Sequence, residues 1–404
     1  MDQFWIRIKP RGDQLMWLII LALSVWGLLA VYSSTGGLAY KKSGGNTETY
    51  LFTQCFYLLM GCGIMLSVHS VHYRYFMGLS RFLLYVSYAL LLYTLIFGVE
   101  INGARRWIGL MGFTVQSSDF AKVAIILYVT RTLAKKQDEI KDFKKGFLPI
   151  LIHVSLTCAL IAPENFSTAA VLFSTCLLVM FIGRVSLKHL GILTLVLGVM
   201  LSIMVLVVMN TPEKYLQHIA RFLTWKHRIE NFSKPPQNDP DVTYQNDHAK
   251  IAIASGGIFG KLPGNSTERN FLPEAYSDFI YAIIAEEYGF IGAIVLLMLY
   301  LFFLYRAMRI ILKSPQAFGA LIAVGLSFAL VLQALINMAV AVNLFPVTGL
   351  TLPLVSKGGT SIFFTSLAFG VIMSVSRHIE EGEESLEIKE EVKSNKINEL
   401  SEIV

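Results

Sequence analysis

Residues 317–343 read AFGALIAVGLSFALVLQALINMAVAVN, a run of twenty-seven positions without an Asp, Glu, Lys or Arg. About twenty residues rising 1.5 Å each cross a hydrocarbon core of about 30 Å, so this segment is long and apolar enough to span a membrane. Comparable runs lie near 15–34, 51–69, 80–98, 117–134, 147–162, 165–183, 190–209, 279–304 and 358–377. The chain is therefore expected to be an all-α polytopic membrane protein of about ten transmembrane helices. Its composition agrees: 54% of the 404 residues are hydrophobic and only 15% charged, with a mean hydropathy of +0.58, too apolar for a soluble domain. The run from Leu15 to Tyr32 follows basic residues as a signal peptide would, but no small-residue cleavage site comes after it, so it is taken as the first span. Pro163 and Glu164 barely separate the fifth span from the sixth.

The net charge is +6. Basic residues fall between apolar runs rather than among aromatic residues, which argues against nucleic acid as a partner. They set a topology instead. Arg7, Lys9, Arg11, Arg74, Arg81, the cluster from Arg131 to Lys145, Arg184, Lys188, Arg306, Arg309, Lys313 and Arg377 share one side. Short loops on the other side hold Lys41, Lys42, Arg105 and Arg106, with Lys357 at a helix start. The first side is expected to be cytoplasmic, with both termini on it. The chain then divides into a cytoplasmic N-terminus (1–14), helices 1–7 (15–209), one large extracytoplasmic loop (210–278), helices 8–10 (279–377) and a disordered, Glu- and Lys-rich cytoplasmic tail (378–404). Trp225, Tyr244, Phe259 and Phe271 in the loop imply short amphipathic or re-entrant pieces at the membrane surface. Cys55, Cys62, Cys158 and Cys176 sit in apolar runs and read as small buried hydrophobes.

Three polar clusters interrupt this pattern, and intramembrane charge needs a reason. In the first, NGARRWIGLMGFTVQSSDFAK (102–122), Arg105 and Arg106 could clamp a phosphate beside Trp107, or anchor lipid headgroups. Asp119 and Lys122 share a helix face, as a structural pair or with Lys122 facing an anionic substrate. Glu164 stands at the mouth of the fifth and sixth spans, where it or Asn165 could simply cap a helix. In the second, NFLPEAYSDFIYAIIAEEYGFIG (270–292), Ser277 and Asp278 mark the end of the loop. Asp278 could cap the next helix, or serve as a general base whose proton affinity is raised by partial desolvation. Glu286 and Glu287 are expected two turns inside that helix, one of them facing a cavity or a basic partner. In the third, LFPVTGLTLPLVSKGGTS (344–361), Ser356, Lys357, Gly358 and Gly359 bring donors and bare backbone N–H groups to a helix start, which suits an anion or tight packing.

At these residues the chain resembles the SEDS family (shape, elongation, division and sporulation), closer to its division branch than to its elongation branch. The motifs NGARRWIG, QSSDFAK, PENFSTAAVL, Tyr244–Gln245, IASGGIFG, GNSTERNFLPEAYSDFIYAIIAEEYGFIG and FPVTGLTLPLVSKGGTS occur in family order. The resemblance implies a peptidoglycan glycosyltransferase that polymerises lipid II at the outer face of the bacterial cytoplasmic (inner) membrane, with Asp278 as general base. Arg105, Arg106, Trp107, Lys122, Glu164, Gln245, Glu274, Ser356, Lys357, Gly358 and Gly359 are the substrate-binding candidates. It also implies a class B penicillin-binding protein (an FtsI-like transpeptidase) and other division proteins as partners. A divalent cation, Mg2+ or Mn2+, could bridge Asp278 and pyrophosphate, although the sequence carries no dedicated ligand cluster. Three places depart from the common pattern: QSSD for QPSE, SKGGTS for SYGGSS, and Tyr276–Ser277 for His–Thr before the aspartate. A lipid II flippase, an elongation polymerase and a recruiting scaffold are the competing expectations.

Overall fold

The computed structural model describes residues 11–36, 38, 47–101, 104–110, 113–212, 222–233 and 240–402. Arg7, Lys9, Lys41, Lys42, Asn102 and Gly103, together with parts of the N-terminus and of the long loop, lie outside the described residues.

Among the described residues, eight helices are long and apolar enough to cross a membrane. These are α1 (Gln14–Ser34), α2 (Glu48–Ser70), α3 (Tyr73–Phe97), α5 (Leu148–Ile161, with the π turn Phe143–Phe147 before it), α7 (Leu187–Asn210), α10 (Ile280–Lys313), α11 (Ala317–Ala341) and α12 (Ser361–Glu402) through Ser385. Two more complete the correspondence with the ten apolar runs. α6 (Phe166–Ile182) is apolar but shorter, and α4 (Ser117–Lys135) carries Asp119, Lys122, Arg131 and Lys135 yet buries 14 of its 19 residues. α4 tolerates its charges because it faces protein rather than lipid. In α11, 67% of the central window is buried, against 6% in α7, so α11 lies in the core and α7 on the rim. Of the cysteines, Cys176 is buried, Cys55 and Cys158 are half-buried, and Cys62 faces outward.

Helix starts follow local capping chemistry. The Asp13 carboxylate accepts from the N–H groups of Leu15 and Met16 at 3.0 and 3.1 Å. Asn165 accepts from Thr168 N–H at 3.1 Å, so Asn165 and not Glu164 caps α6.

Two cross-links between α1 and α10 set the vertical scale. At one end Arg306 donates to Asp13, with Nε at 2.8 Å from Oδ2. At the other, Ser33 donates to Glu287. These links lie twenty residues apart on α1 and nineteen apart on α10, or about 30 Å of helix, one hydrocarbon thickness. Glu286 and Glu287, two turns into α10 as expected, therefore stand level with the end of α1. At about 51 Å, the 34-residue α10 is longer than a membrane core, and its first turns extend past that level.

α10 is also interrupted. Gly289 has φ +69°, ψ −169°, and a Cβ there would collide with the backbone of Ile258 and Gly260. A turn from the long loop fills the break: Phe290 N–H donates to Gly257 O at 2.9 Å and Lys261 N–H to Glu286 O at 3.0 Å. Glu286 is fully buried. Lys261 Nζ lies 2.6 Å from it, Thr267 donates from N–H and Oγ1 at 3.1 and 2.9 Å, and Ser266 donates as well.

Three features differ from the expectations. Between the third and fourth spans lies an antiparallel three-stranded sheet, β1 (Val99–Ile101), β2 (Ala104–Leu110) and β3 (Phe113–Gln116), in the order β1-β2-β3. The loop holds two helices, α8 (Phe222–Ser233) and α9 (Pro240–Gly256), and α9 packs along α10. The tail, expected to be disordered, continues α12 to Glu402. Beyond Gly382 it has no Gly or Pro and is rich in Glu and Lys, both good helix formers.

Candidate active site

Where the sheet, α8, α9 and the segment after α11 converge, a cavity of about 360 Å³ opens beside Asp278, within the usual size range of ligand pockets. Asp278 does not cap α10: Phe279 holds the cap position and no side chain bonds there. Its neighbour Ser277 donates to Oδ1 at 3.1 Å, and Asn337 Nδ2 donates to the Asp278 carbonyl at 2.8 Å. The side chain is left to face the cavity.

Burial raises the proton affinity of Asp278, and the Glu274 carboxylate raises it further. The Ser277 hydroxyl, Arg106 and Arg228 oppose this, and the balance is a pKa pushed up to about 6. Glu274 sits at φ +56°, in the left-handed region, on the same wall. Gly349, at φ +70°, lies between the aspartate and its nearest cation. A Cβ there would be 3.5 Å from Asp278 Oδ2 and 3.9 Å from Arg106 Nη1, so the missing side chain keeps the two groups open to each other.

The cations arrive from separate elements. Arg106 is on β2, steered by Nε donation to Glu164 O at 2.8 Å. Lys122, on α4, is fixed by Asp119 at 2.8 Å and by donation to Gln333 Oε1 at 3.0 Å. Lys357 and Gly358 stand at the approach to α12, and Arg228 projects from α8. α8 is anchored by Trp225, whose ring lies 5.0 Å from that of Phe166. Trp107 on β2 and Gln245 on α9 complete the part of the lining named in advance.

Of the substrate-binding candidates, Arg106, Trp107, Lys122, Gln245, Glu274, Lys357 and Gly358 thus line the cavity with Asp278. Arg105, Glu164, Ser356 and Gly359 do not. Adjacent residues on a strand alternate between faces, and Arg105 pairs with Glu100, 3.5 Å away, while Arg106 lines the cavity. The Glu164 carboxylate is engaged by Arg105 N–H at 2.9 Å. Ser356 is buried, donating to Ser277 O at 2.6 Å and accepting from Leu352 N–H at 2.8 Å. Gly359, at φ +51°, shapes the turn before α12 from outside the lining.

The sequence analysis missed Arg228, Gln333 and Asn337. Gln333 and Asn337 were visible as two amides one turn apart in an otherwise apolar span, a spacing that places them on one face. Arg228 had no comparable signal.

Among the described residues no group of three or more His, Cys, Asp or Glu side chains is placed to hold a metal ion. Asp119 also lines the cavity but is engaged by Lys122 at 2.8 Å; Asp278 and Glu274 are the remaining carboxylates on its wall. They could hold a hard cation such as Mg2+ or Mn2+ only together with substrate phosphates, where it would add positive charge against a leaving anion.

The family model described as "Cell cycle protein" (FtsW, RodA, SpoVE) matches residues 13–381. The chain is 34% identical over 376 residues to the stage V sporulation protein E of Bacillus subtilis, covering 92% of this chain and 98% of that protein. It is 33% identical to a probable peptidoglycan glycosyltransferase FtsW of Trichlorobacter lovleyi, covering 90% and 93%. Its fold is similar to a chain in a solved structure described as "Structural coordination of polymerization and crosslinking by a peptidoglycan synthase complex", with TM-score 0.74, 24% identity and coverage of 91% and 98%. The rod shape determining protein RodA of Thermus thermophilus is similar in fold too, with TM-score 0.64, 23% identity and coverage of 91% and 97%. The ten-helix order, the polar cavity at one end and matches spanning nearly the whole chain lead to one conclusion: this multi-pass membrane protein belongs to the FtsW/RodA/SpoVE family of cell cycle proteins.

Proposed function

We propose that the chain is a peptidoglycan glycosyltransferase that polymerises lipid II during septal wall synthesis. The observation that carries this is the Asp278 carboxylate, with a pKa near 6, facing a cavity whose other walls present Arg106, Lys122, Arg228 and Lys357. A base of that strength is mostly ionised at neutral pH yet still accepts a proton readily. Asp278 takes the proton of the acceptor sugar hydroxyl as that oxygen bonds to the donor's anomeric carbon. The bond from that carbon to the phosphate oxygen breaks, and its electron pair leaves on the lipid diphosphate. The cations stabilise that charge in a partly dehydrated site, where they act more strongly than in water.

The cavity end of the bundle is assigned to the outer face. The end that carries the Asp13–Arg306, Lys313–Glu383 and Arg377–Glu381 pairs and the lysines of 135–145 is assigned to the cytoplasm, with both termini. The domain division follows, with 210–278 as the extracytoplasmic loop that carries α8 and α9 over the cavity. Because a similar fold occurs in a complex that coordinates polymerization with crosslinking, a class B penicillin-binding transpeptidase is assigned as partner, with other division proteins.

The test is glycan formation from labelled lipid II by the purified chain with its transpeptidase partner. Wild-type ladders and none from Asp278→Asn are expected. Ladders from both would remove Asp278 as the base, and leaflet exchange of lipid II without ladders would identify a flippase.

A further inference from the structure

Lys357 is held in an unusual way. Its backbone N–H donates to Tyr276 O at 2.9 Å, and the preceding Ser356 hydroxyl donates to Ser277 O. The approach to α12 is thereby fastened to the two residues before Asp278. The Lys357 ammonium lies over the ring of Tyr50, 4.1 Å from its centroid, and 5.0 Å from that of Tyr276. Tyr50 comes from the first turn of α2, three hundred residues away in the chain. Burial pushes the Tyr276 hydroxyl up, so that ring stays a neutral phenol. An aromatic face attracts a cation through its quadrupole and so helps fix its position. Lys357 and Gly358 lie on the lining of the same cavity as Asp278. Behind them α12 begins at Ser361, with its positive dipole end toward the site.

We infer that Tyr50 and Tyr276 form an aromatic clamp that aims Lys357 at the diphosphate of the lipid-linked donor, making Tyr50 a positioning residue for donor binding. This rests on the glycosyltransferase assignment, and it locates the donor's anionic group toward the α2–α12 side of the cavity.

The test uses the full chain reconstituted with its transpeptidase partner and labelled lipid II, comparing KM for the donor with kcat. Tyr50→Leu is expected to raise KM about three- to thirtyfold, the span of a cation–π contact, with kcat little changed. Tyr50→Phe, which keeps the ring, recovers most of that loss. Lys357→Met raises KM at least as much, and adding Tyr50→Leu to it has no further effect, because the ring then has no cation to aim. Equal behaviour of Tyr50→Leu and Tyr50→Phe, or a full Tyr50→Leu effect in the Lys357→Met background, overturns the clamp. Binding of farnesyl diphosphate, followed by tryptophan fluorescence, tests the clamp without turnover. The same order of variants is expected there, and unchanged affinity in Tyr50→Leu and Lys357→Met sinks it. Ladders that persist in Asp278→Asn would instead count against the catalytic assignment and leave this binding result to stand on its own.

Discussion

Asn337 reaches from α11 to donate to the carbonyl oxygen of Asp278 at 2.8 Å and to that of Leu350 at 2.6 Å. One buried amide therefore sets the distance between the segment that carries Asp278 and the loop that bears Gly349 and Lys357. Gln333, one turn earlier, does the same for Thr351 O and Lys122. A largely buried span of the bundle thus works as the site's internal scaffold.

Asn337→Leu is expected to lower kcat about ten- to a hundredfold and leave KM for the donor within a few fold. It leaves two buried carbonyls without a donor, at a cost of about 1–3 kcal/mol each, and lets the Asp278 backbone drift. Steady-state kinetics with a parallel thermal melt checks this, and an unchanged kcat in a folded protein would refute it.

The rate of glycan formation should rise with pH through about 6 and then level off, because the base must be ionised and burial and Glu274 have raised its pKa to that value. Glu274→Gln removes a raising influence and should move the midpoint down. Arg106→Gln removes a lowering one and should move it up. Midpoints that fail to move in opposite directions would contradict the electrostatic account.

The same shift bears on stability. A carboxyl whose pKa is raised on folding holds its proton more tightly when folded, so its contribution is full below the unfolded value and is lost as pH rises through about 6. Asp278→Asn should therefore melt higher than wild type at pH 7.5, by about 1–3 kcal/mol of stability, while forming no glycan. The difference should vanish at pH 4.

Gly289→Ala should destabilise strongly, by about 3 kcal/mol or more, since it combines a left-handed φ with a backbone collision. Gly191→Ala, on the open face of α7 with nothing near the added carbon, should stabilise by up to about 1 kcal/mol. Thermal unfolding in detergent separates the two.

Most of the fold was legible because bilayer thickness imposes a length and a composition that survive without neighbours, and the ten apolar runs became ten helices. The sheet was not legible: its strands are three to seven residues long and lack a sustained alternation. Missing it hid the fact that Arg105 and Arg106 face opposite ways. Asp278, Glu274 and Lys357 stood out because charge is rare in such a chain. Their partners did not, since Asn337 lies 59 residues from Asp278 and Tyr50 is an ordinary aromatic at a helix start until the fold places Lys357 over it. Arg228 was one basic residue among several in the loop.

The links Asp13–Arg306 and Ser33–Glu287 make α1 and α10 a caliper of fixed opening. A lipid with longer chains would draw one of these polar rungs into oil, and a shorter one would expose the apolar stretch between them, so the bundle must tilt or the bilayer must deform locally, at a cost that grows with each ångström of mismatch. The α10 break at Gly289 lies just inside the Ser33–Glu287 rung, and the glycine turn wedged there ties that level to the long loop. Acyl-chain length is thereby expected to act as a mechanical load on the turn that fills the break at Gly289, without any ligand being bound.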